Sequence, residues 1–186
     1  MAGDCSIPIT GVRMESNSAL TGGCISLGEN ASPMIRDSNF TQCHSLVEGG
    51  AISLAQYASP KVANCIIVNS SSFSVGSGIY AFSYSQIELE DVLIQDNFSP
   101  NEAAGVYLDD FSQGNFTRVK FLGNMASSSG SGLVVNINAY VMQSRKLLLA
   151  TNFLRVLGRL ICKTAFSKIT GLARKADAWH VSIMDN

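Results

Sequence analysis

One pattern in these 186 residues restricts the fold more than any other: three small residues and an apolar–variable–apolar triplet return every 27 positions. The copies are Gly22-Gly23-Cys24-Ile25-Ser26-Leu27, Gly49-Gly50-Ala51-Ile52-Ser53-Leu54, Gly76-Ser77-Gly78-Ile79-Tyr80-Ala81, Ala103-Ala104-Gly105-Val106-Tyr107-Leu108 and Gly130-Ser131-Gly132-Leu133-Val134-Val135. Other columns keep the same step. Ile35, Val62, Leu89 and Phe116 align, as do Phe40, Ile67, Ile94 and Phe121, with Leu148 extending the second set. Three residues further on come Cys43, Ser70, Asn97 and Asn124. The opening segment fits with one residue deleted, so that Ile7, Ile9, Val12, Met14 and Asn17 shadow Ile87, Leu89, Val92, Ile94 and Asn97.

Self-similarity at this period marks a stacked-repeat architecture. A 27-residue unit is too short for two packed helices, and its apolar residues lie two apart, which is the strand period. Each unit therefore offers two or three short strands with one inward face, which no unit can bury alone. Coiling the chain so that each unit lies about 4.8 Å above the last pairs the backbones in parallel and closes an apolar interior. The pattern predicts an all-β, right-handed parallel β-helix of about five coils, since parallel crossovers are right-handed in nearly all cases. Residues 1–20 form a partial first coil and residues 21–152 the repeats. Ile25-Ile52-Ile79-Val106-Leu133 and Phe40-Ile67-Ile94-Phe121 become interior ladders. The small residues ahead of each strand suit a tight corner. Asn97 and Asn124 suit another, where each amide can bond to the amide one coil above. A leucine-rich repeat is disfavoured because its leucine pattern and its helix are absent.

Composition agrees with many tight turns. Charged residues are 15% and hydrophobic residues 46%, and the polar character comes from 25 Ser, 13 Asn and 16 Gly. A net charge of -1 supplies no global basic field for nucleic acid. Met1 to Thr10 carries Asp4 and lacks the apolar core of a secretory signal, and the most apolar run, Leu147 to Ile161, is broken by Asn152, Arg155 and Arg159. Cys5, Cys24, Cys43, Cys65 and Cys162 are odd in number and show no zinc spacing. They are expected to be small buried hydrophobes rather than a disulfide framework.

The columns fail from about Val141, and the charge changes there as well. Residues 1–140 hold five Lys and Arg against twelve Asp and Glu, whereas residues 141–186 hold eight against two. In this basic tail, taken as residues 153–186, Leu154, Leu157, Ile161, Ala165, Ile169 and Leu172 recur at helical spacing opposite Arg155, Arg159, Lys163 and Arg174. The leading expectation is a helix capping the open end of the coil. A basic helix for a membrane or partner, and a tail unrelated to the coil, stay open.

The combination of GGA[ILV] with FxxN resembles the repeats of polymorphic outer-membrane proteins, which are surface autotransporters of the pectin-lyase-like β-helix superfamily; similar repeats occur in large surface proteins of protists. The matching residues are Gly49-Gly50-Ala51-Ile52, Gly22-Gly23-Cys24-Ile25 and Phe121-Leu122-Gly123-Asn124, with Ile94-Gln95-Asp96-Asn97 a near match, and the resemblance covers about residues 5 to 150. It implies an extracellular or cell-surface location and a role in adhesion or display. With no signal peptide and no run of alternating C-terminal strands for a membrane barrel, the expectation is a passenger fragment of a larger protein or a truncated copy.

The same superfamily includes polysaccharide lyases and hydrolases, which use paired carboxylates, or calcium with a basic residue. Candidates for such chemistry are Asp109-Asp110, the run Glu88, Glu90 and Asp91, and Asp96. Asp91 shares a column with Asp37, Asn64 and Arg118 that reads as an exposed face. Asp109-Asp110 follows a strand at a corner, where Asp is common for turn reasons. The Asn-Thr-Asp, Gly-His-Gly and Arg-Ile-Lys clusters of pectin hydrolases are absent, and the two histidines, His44 and His180, fall beside a turn column and in the tail. No catalytic, cofactor-binding or metal-ligating residue is assigned. Sequons stand at Asn30, Asn39, Asn69, Asn97 and Asn115.

The expected function is a non-catalytic β-helix scaffold module of a surface or adhesion-type protein. The alternative is a polysaccharide-binding or polysaccharide-active β-helix. Three carboxylates with an Arg or Lys on one exposed sheet face would favour that alternative. Expected partners are a surface glycan or a host or partner protein, with end-to-end self-association also expected to be open to the coil.

Overall fold

The computed structural model describes residues 6–128, 130–136, 138–145, 148–150, 154–156, 159–162 and 181–183. Its strands stack into four parallel sheets running the length of a coil. Sheet 1 begins with Ile9–Thr10, Met34–Arg36, Lys61–Ala63, Gln86–Glu90, Gln113–Thr117 and Tyr140–Arg145. Sheet 2 contains Arg13–Glu15, Asn39–Thr41, Ile66–Val68, Leu93–Gln95, Lys120–Leu122 and Leu148–Ala150. Sheet 3 contains the two-residue strands Ser18–Ala19, His44–Ser45, Ser71–Ser72, Phe98–Ser99 and Met125–Ala126. Sheet 4 contains Ile25–Leu27, Ile52–Leu54, Ile79–Ala81, Val106–Leu108, Leu133–Val135 and Leu154–Val156.

The repeat columns are the registers of this stack. Ile25, Ile52, Ile79, Val106 and Leu133 face one another coil upon coil. Phe40, Ile67, Ile94 and Phe121 do the same, and so do Ile35, Val62, Leu89 and Phe116. These side chains form one continuous buried cluster. At about 1.5–3 kcal/mol for each fully buried side chain, the ladders are the main source of cohesion. The first coil pairs with its single deletion, Ile9 opposite Ile35 and Met14 opposite Phe40.

Corners repeat as faithfully as strands. Gly49 has φ +65°, and a Cβ there would come within 2.7 Å of the Ile52 carbonyl oxygen. At Gly50 a Cβ would collide with the Ser77 carbonyl of the next coil, which is why small residues precede the five sheet 4 strands from Ile25–Leu27 to Leu133–Val135. The corner between sheets 2 and 3 is held by the expected amide ladder. Asn97 Nδ2 donates to Asn124 Oδ1 at 2.9 Å and to the Ile67 carbonyl at 3.3 Å, and the Ser70 N–H donates to Asn97 Oδ1 at 2.8 Å.

Four expectations are corrected. Each of the first five coils has four strands, because sheet 3 turns only one small residue per strand inward (Ser45, Ser72, Ser99) and so carries no apolar alternation. Leu149, not Leu148, lies opposite Phe121, because the pairing of Gln113–Thr117 with Tyr140–Arg145 slips by one residue after Phe116. Leu154–Val156 and Arg159–Cys162 are strands paired in parallel onto Leu133–Val135 and Tyr140–Gln143, not the start of a helix. Their alternation (Leu154/Val156, Leu160/Cys162) serves a strand as well as their 3.6-residue spacing serves a helix, and the sheet edges of the preceding coil offer unpaired backbone groups. Ala165, Ile169, Leu172, Lys163, Arg174 and His180 lie outside the described residues.

The fourth correction concerns the cysteines. Cys24 and Cys43 form a disulfide with 5.5 Å between their Cα atoms, while Cys65 is free and buried. The two occupy different columns, and only the coil's cross-section brings the start of a sheet 4 strand against the corner before sheet 3. The bridge closes a 19-residue separation near the first coils. Its reduction should lower stability by about 3 kcal/mol, the loop-closure value for this length. Melting curves with and without a thiol reductant, against a Cys24→Ser control that no longer responds, measure this directly.

Candidate functional site

Along Gln86–Glu90, strand alternation buries Ile87 and Leu89 and turns Glu88 and Glu90 outward on sheet 1. Parallel register sets Lys61 opposite Glu88 one coil earlier. The next corner holds Asp91 and, one coil later, Arg118, both exposed at φ +53°. The result is a chain of ion pairs. Lys61 Nζ lies 2.9 Å from Glu88 Oε1 and 3.6 Å from Glu90 Oε2. Arg118 reaches Glu90 Oε1 at 2.8 Å and grips both Asp91 oxygens at 2.6 Å. Hydrogen bonds from Arg118 hold the Asp91 carboxyl below its ordinary range, and those to Asp91 and Glu90 push the guanidinium higher. Lys61 is likewise raised, first by its hydrogen bond to Glu88.

Beside this chain an open groove of about 260 Å³ runs across four coils of sheet 1, lined by Lys61, Gln86, Glu88, Gln113, Asn115 and Tyr140 among others. Three carboxylates with a Lys and an Arg therefore do share one exposed face. Each of the three accepts a hydrogen bond or ion pair from a cation, so none stands as an unpaired acid beside an unpaired base. Among the described residues, no group of three or more His, Cys, Asp or Glu is placed to hold a metal ion.

The other candidates lie apart. Asp96 accepts from Gln95 Nε2 at 2.8 Å at the corner between sheets 2 and 3. His44 is exposed, with Nδ1 2.9 Å from Ser71 Oγ. Asp109 and Asp110 make a turn beside sheet 4, where the Ser112 N–H returns to the Asp109 carbonyl at 2.9 Å and the Asp110 N–H donates to Asp109 Oδ1 at 2.8 Å. Of the sequons, Asn30, Asn39, Asn69 and Asn115 are exposed, whereas Asn97 is 1% exposed and its amide is occupied in the corner ladder.

Sequence reasoning missed Glu48, which has no obvious motif. It stands in the segment leading into sheet 4, and its carboxyl is raised above the usual value, chiefly by burial and then by the charge of Asp109. A carboxyl of this kind binds its proton more tightly folded than unfolded, so ionising it costs stability. Glu48→Gln should therefore melt above wild type at pH 7, by less than the roughly 2–4 °C that about 1 kcal/mol is worth in a chain of this size. The gap should close as pH falls through the raised value toward the ordinary carboxylate range. Thermal melts across pH measure it.

Continuous parallel coils with inward ladders and glycine and asparagine corners define a β-solenoid, a repeat architecture in which each coil contacts only its neighbours. The family described as "Right handed beta helix region" matches residues 1–146, and the chain belongs to that family. No curated protein matches the chain, and no solved structure does.

Proposed function

We propose that this chain is a non-catalytic β-helix scaffold that displays binding surfaces on a surface or adhesion-type protein outside the cell. The observation that carries the reading is the pairing of Glu88, Glu90 and Asp91 with Lys61 and Arg118, which uses the best-placed carboxylates to tie one coil to the next. The Cys24–Cys43 disulfide supports an oxidising, extracellular setting, since such bonds persist mainly there. The resemblance to polymorphic outer-membrane protein repeats, in its GGA[ILV] and FxxN elements, supports surface display. The test is incubation of the purified chain with neutral and acidic polysaccharides, with and without calcium, scoring new reducing ends and unsaturated products. The scaffold reading expects neither, and turnover that Glu90→Gln abolishes overturns it.

The groove on sheet 1 favours a second reading, a polysaccharide-binding or polysaccharide-active module. Amides of Gln86, Gln113 and Asn115, with Tyr140 beside them, offer the hydrogen-bonding chemistry of glycan recognition across neighbouring coils. Retention on an immobilised glycan that is lost in Gln113→Ala supports this reading, and no retention on any glycan tested counts against it.

A further inference from the structure

The coil sorts its five sequons. Asn97 is closed by burial. Behind Asn30 and Asn97 the hydroxyl residues Ser32 and Ser99 run straight into Pro33 and Pro100. A proline there holds the serine extended and opposes the bend that an acceptor triplet makes. Asn69 stands at a corner whose next residue, Ser70, is buried. Asn39-Phe40-Thr41 and Asn115-Phe116-Thr117 are one triplet used twice, free of proline. In both, strand alternation buries the phenylalanine completely and turns the asparagine and the threonine to the same outer face.

What separates these two triplets is the surface beside them. Asn39 lies on sheet 2 between Arg13 and Ile66. Asn115 is exposed on sheet 1 and lines the groove. Two residues earlier on its strand, Gln113 points to the same side, and parallel register sets Gln113 between Gln86 and Tyr140. Two amides and a phenol thus stand in one column next to the asparagine, the hydrogen-bonding chemistry that sugar hydroxyls and an acetamido group call for.

We infer that Asn115 carries an N-linked glycan whose first sugar rests in the sheet 1 groove. The donor is an oligosaccharide on a polyprenyl pyrophosphate. The bond between its anomeric carbon and the phosphate oxygen breaks, a bond from that carbon to Asn115 Nδ2 forms, the amide gives up one proton, and polyprenyl pyrophosphate leaves. Groove size agrees with a tethered sugar. Its volume of about 260 Å³ falls below the roughly 300–1,000 Å³ of pockets that hold a free drug-sized ligand. A covalent link makes the contact intramolecular, at an effective concentration on the order of millimolar, so a shallow site suffices. The inference deepens the second reading of this groove and rests on its glycan chemistry and on the extracellular setting. The sugar is then the chain's own.

The test is the full chain secreted from cultured eukaryotic cells behind an added, cleaved signal peptide, with its glycans kept in oligomannose form. Peptide mapping by mass spectrometry should find a glycan on Asn115, and its absence overturns the inference. Thr117→Ala should abolish it with Asn115 still in place. Endoglycosidase trimming to one N-acetylglucosamine then isolates the groove. That form should melt about 2–4 °C above Asn115→Gln, the worth of one good hydrogen bond in a chain of this size. Gln113→Ala should remove at least about half of the difference, whereas the same single sugar on Asn39 should shift melting by less than about 1 °C relative to Asn39→Gln. Equal shifts at the two sites, or a shift at Asn115 that Gln113→Ala leaves intact, would mean that the sugar projects into solvent and overturn its seat in the groove. Should Asn115→Gln fail to fold, Thr117→Ala serves as the sugar-free reference. Failure to retain an immobilised glycan counts against the second reading alone, because a tethered sugar needs no affinity for a free one.

Discussion

Ile79→Asp should abolish cooperative unfolding of the coil. Ile79 has no solvent exposure and sits between Ile52 and Val106 at the centre of the sheet 4 ladder. An aspartate there must carry a desolvated charge or stay protonated, and either way it loses the roughly 1.5–3 kcal/mol of the isoleucine's burial. The polar group left without partners adds a further cost of about 1–3 kcal/mol or more. In a solenoid the damage reaches past one site, since each coil is stabilised by its two neighbours and a failed central coil separates the rest into short stacks. Broad, weak thermal transitions and loss of near-ultraviolet circular dichroism are the expected signature. Melting within a few degrees of wild type would mean that this column does not face the interior. Ser26→Asp, at an exposed position of the same sheet, serves as the control and should leave the transition sharp.

The second large effect is expected at a polar position. Asn97→Ala should destabilise the protein by about 1–3 kcal/mol, because it strands the Ser70 N–H in a buried corner. It also removes one of the two donors to Asn124 Oδ1, the Asn97 N–H remaining as the other. An ordinary exposed turn asparagine would cost a fraction of this, so Asn69→Ala, at an exposed turn with φ +54°, is the comparison. Denaturant melts that give equal losses for the two variants would remove the amide ladder from the list of stabilising elements. The same burial makes Asn97 the one sequon closed to a glycan in the folded coil, and the other four remain open.

Much of this molecule is legible without coordinates, because stacking copies a local decision 27 residues along. If Ile52 faces inward, the residue one period away must do so as well, or the parallel ladder loses its hydrogen bonds and its apolar contacts together. That logic located the ladders, the glycine corners, the asparagine corner and the deletion in the first coil. It also placed the column of Asp37, Asn64, Asp91 and Arg118 on the exposed face. It ran out where the period did. The slip after Phe116 moved Leu149 into the place expected for Leu148. The steps that follow shorten, from Leu133 to Leu154 and from Tyr140 to Arg159, and there a stripe suited to either a helix or a strand was settled by the open sheet edges.

The corner between sheets 4 and 1 shows a different limit. Gln56-Tyr57, Ser83-Tyr84 and Asp110-Phe111 all hold two successive left-handed residues, none of them glycine. Their aromatic rings stack on the outside at 5.4 Å and 5.0 Å. No composition rule points to a tyrosine in such a turn. What sustains it is the ring one coil away, a contact that exists only once the coils are stacked.

The amino-acid order alone determined the period, the inward face of each strand and the small-residue corners, because these depend on spacing along a chain that repeats itself. Only the tertiary structure decided which separate columns meet across the coil. It joined Cys24 to Cys43, and it matched Lys61 and Arg118 to the sheet 1 carboxylates. Those contacts depend on the cross-section of the coil, and a linear repeat carries no information about which of its corners face each other.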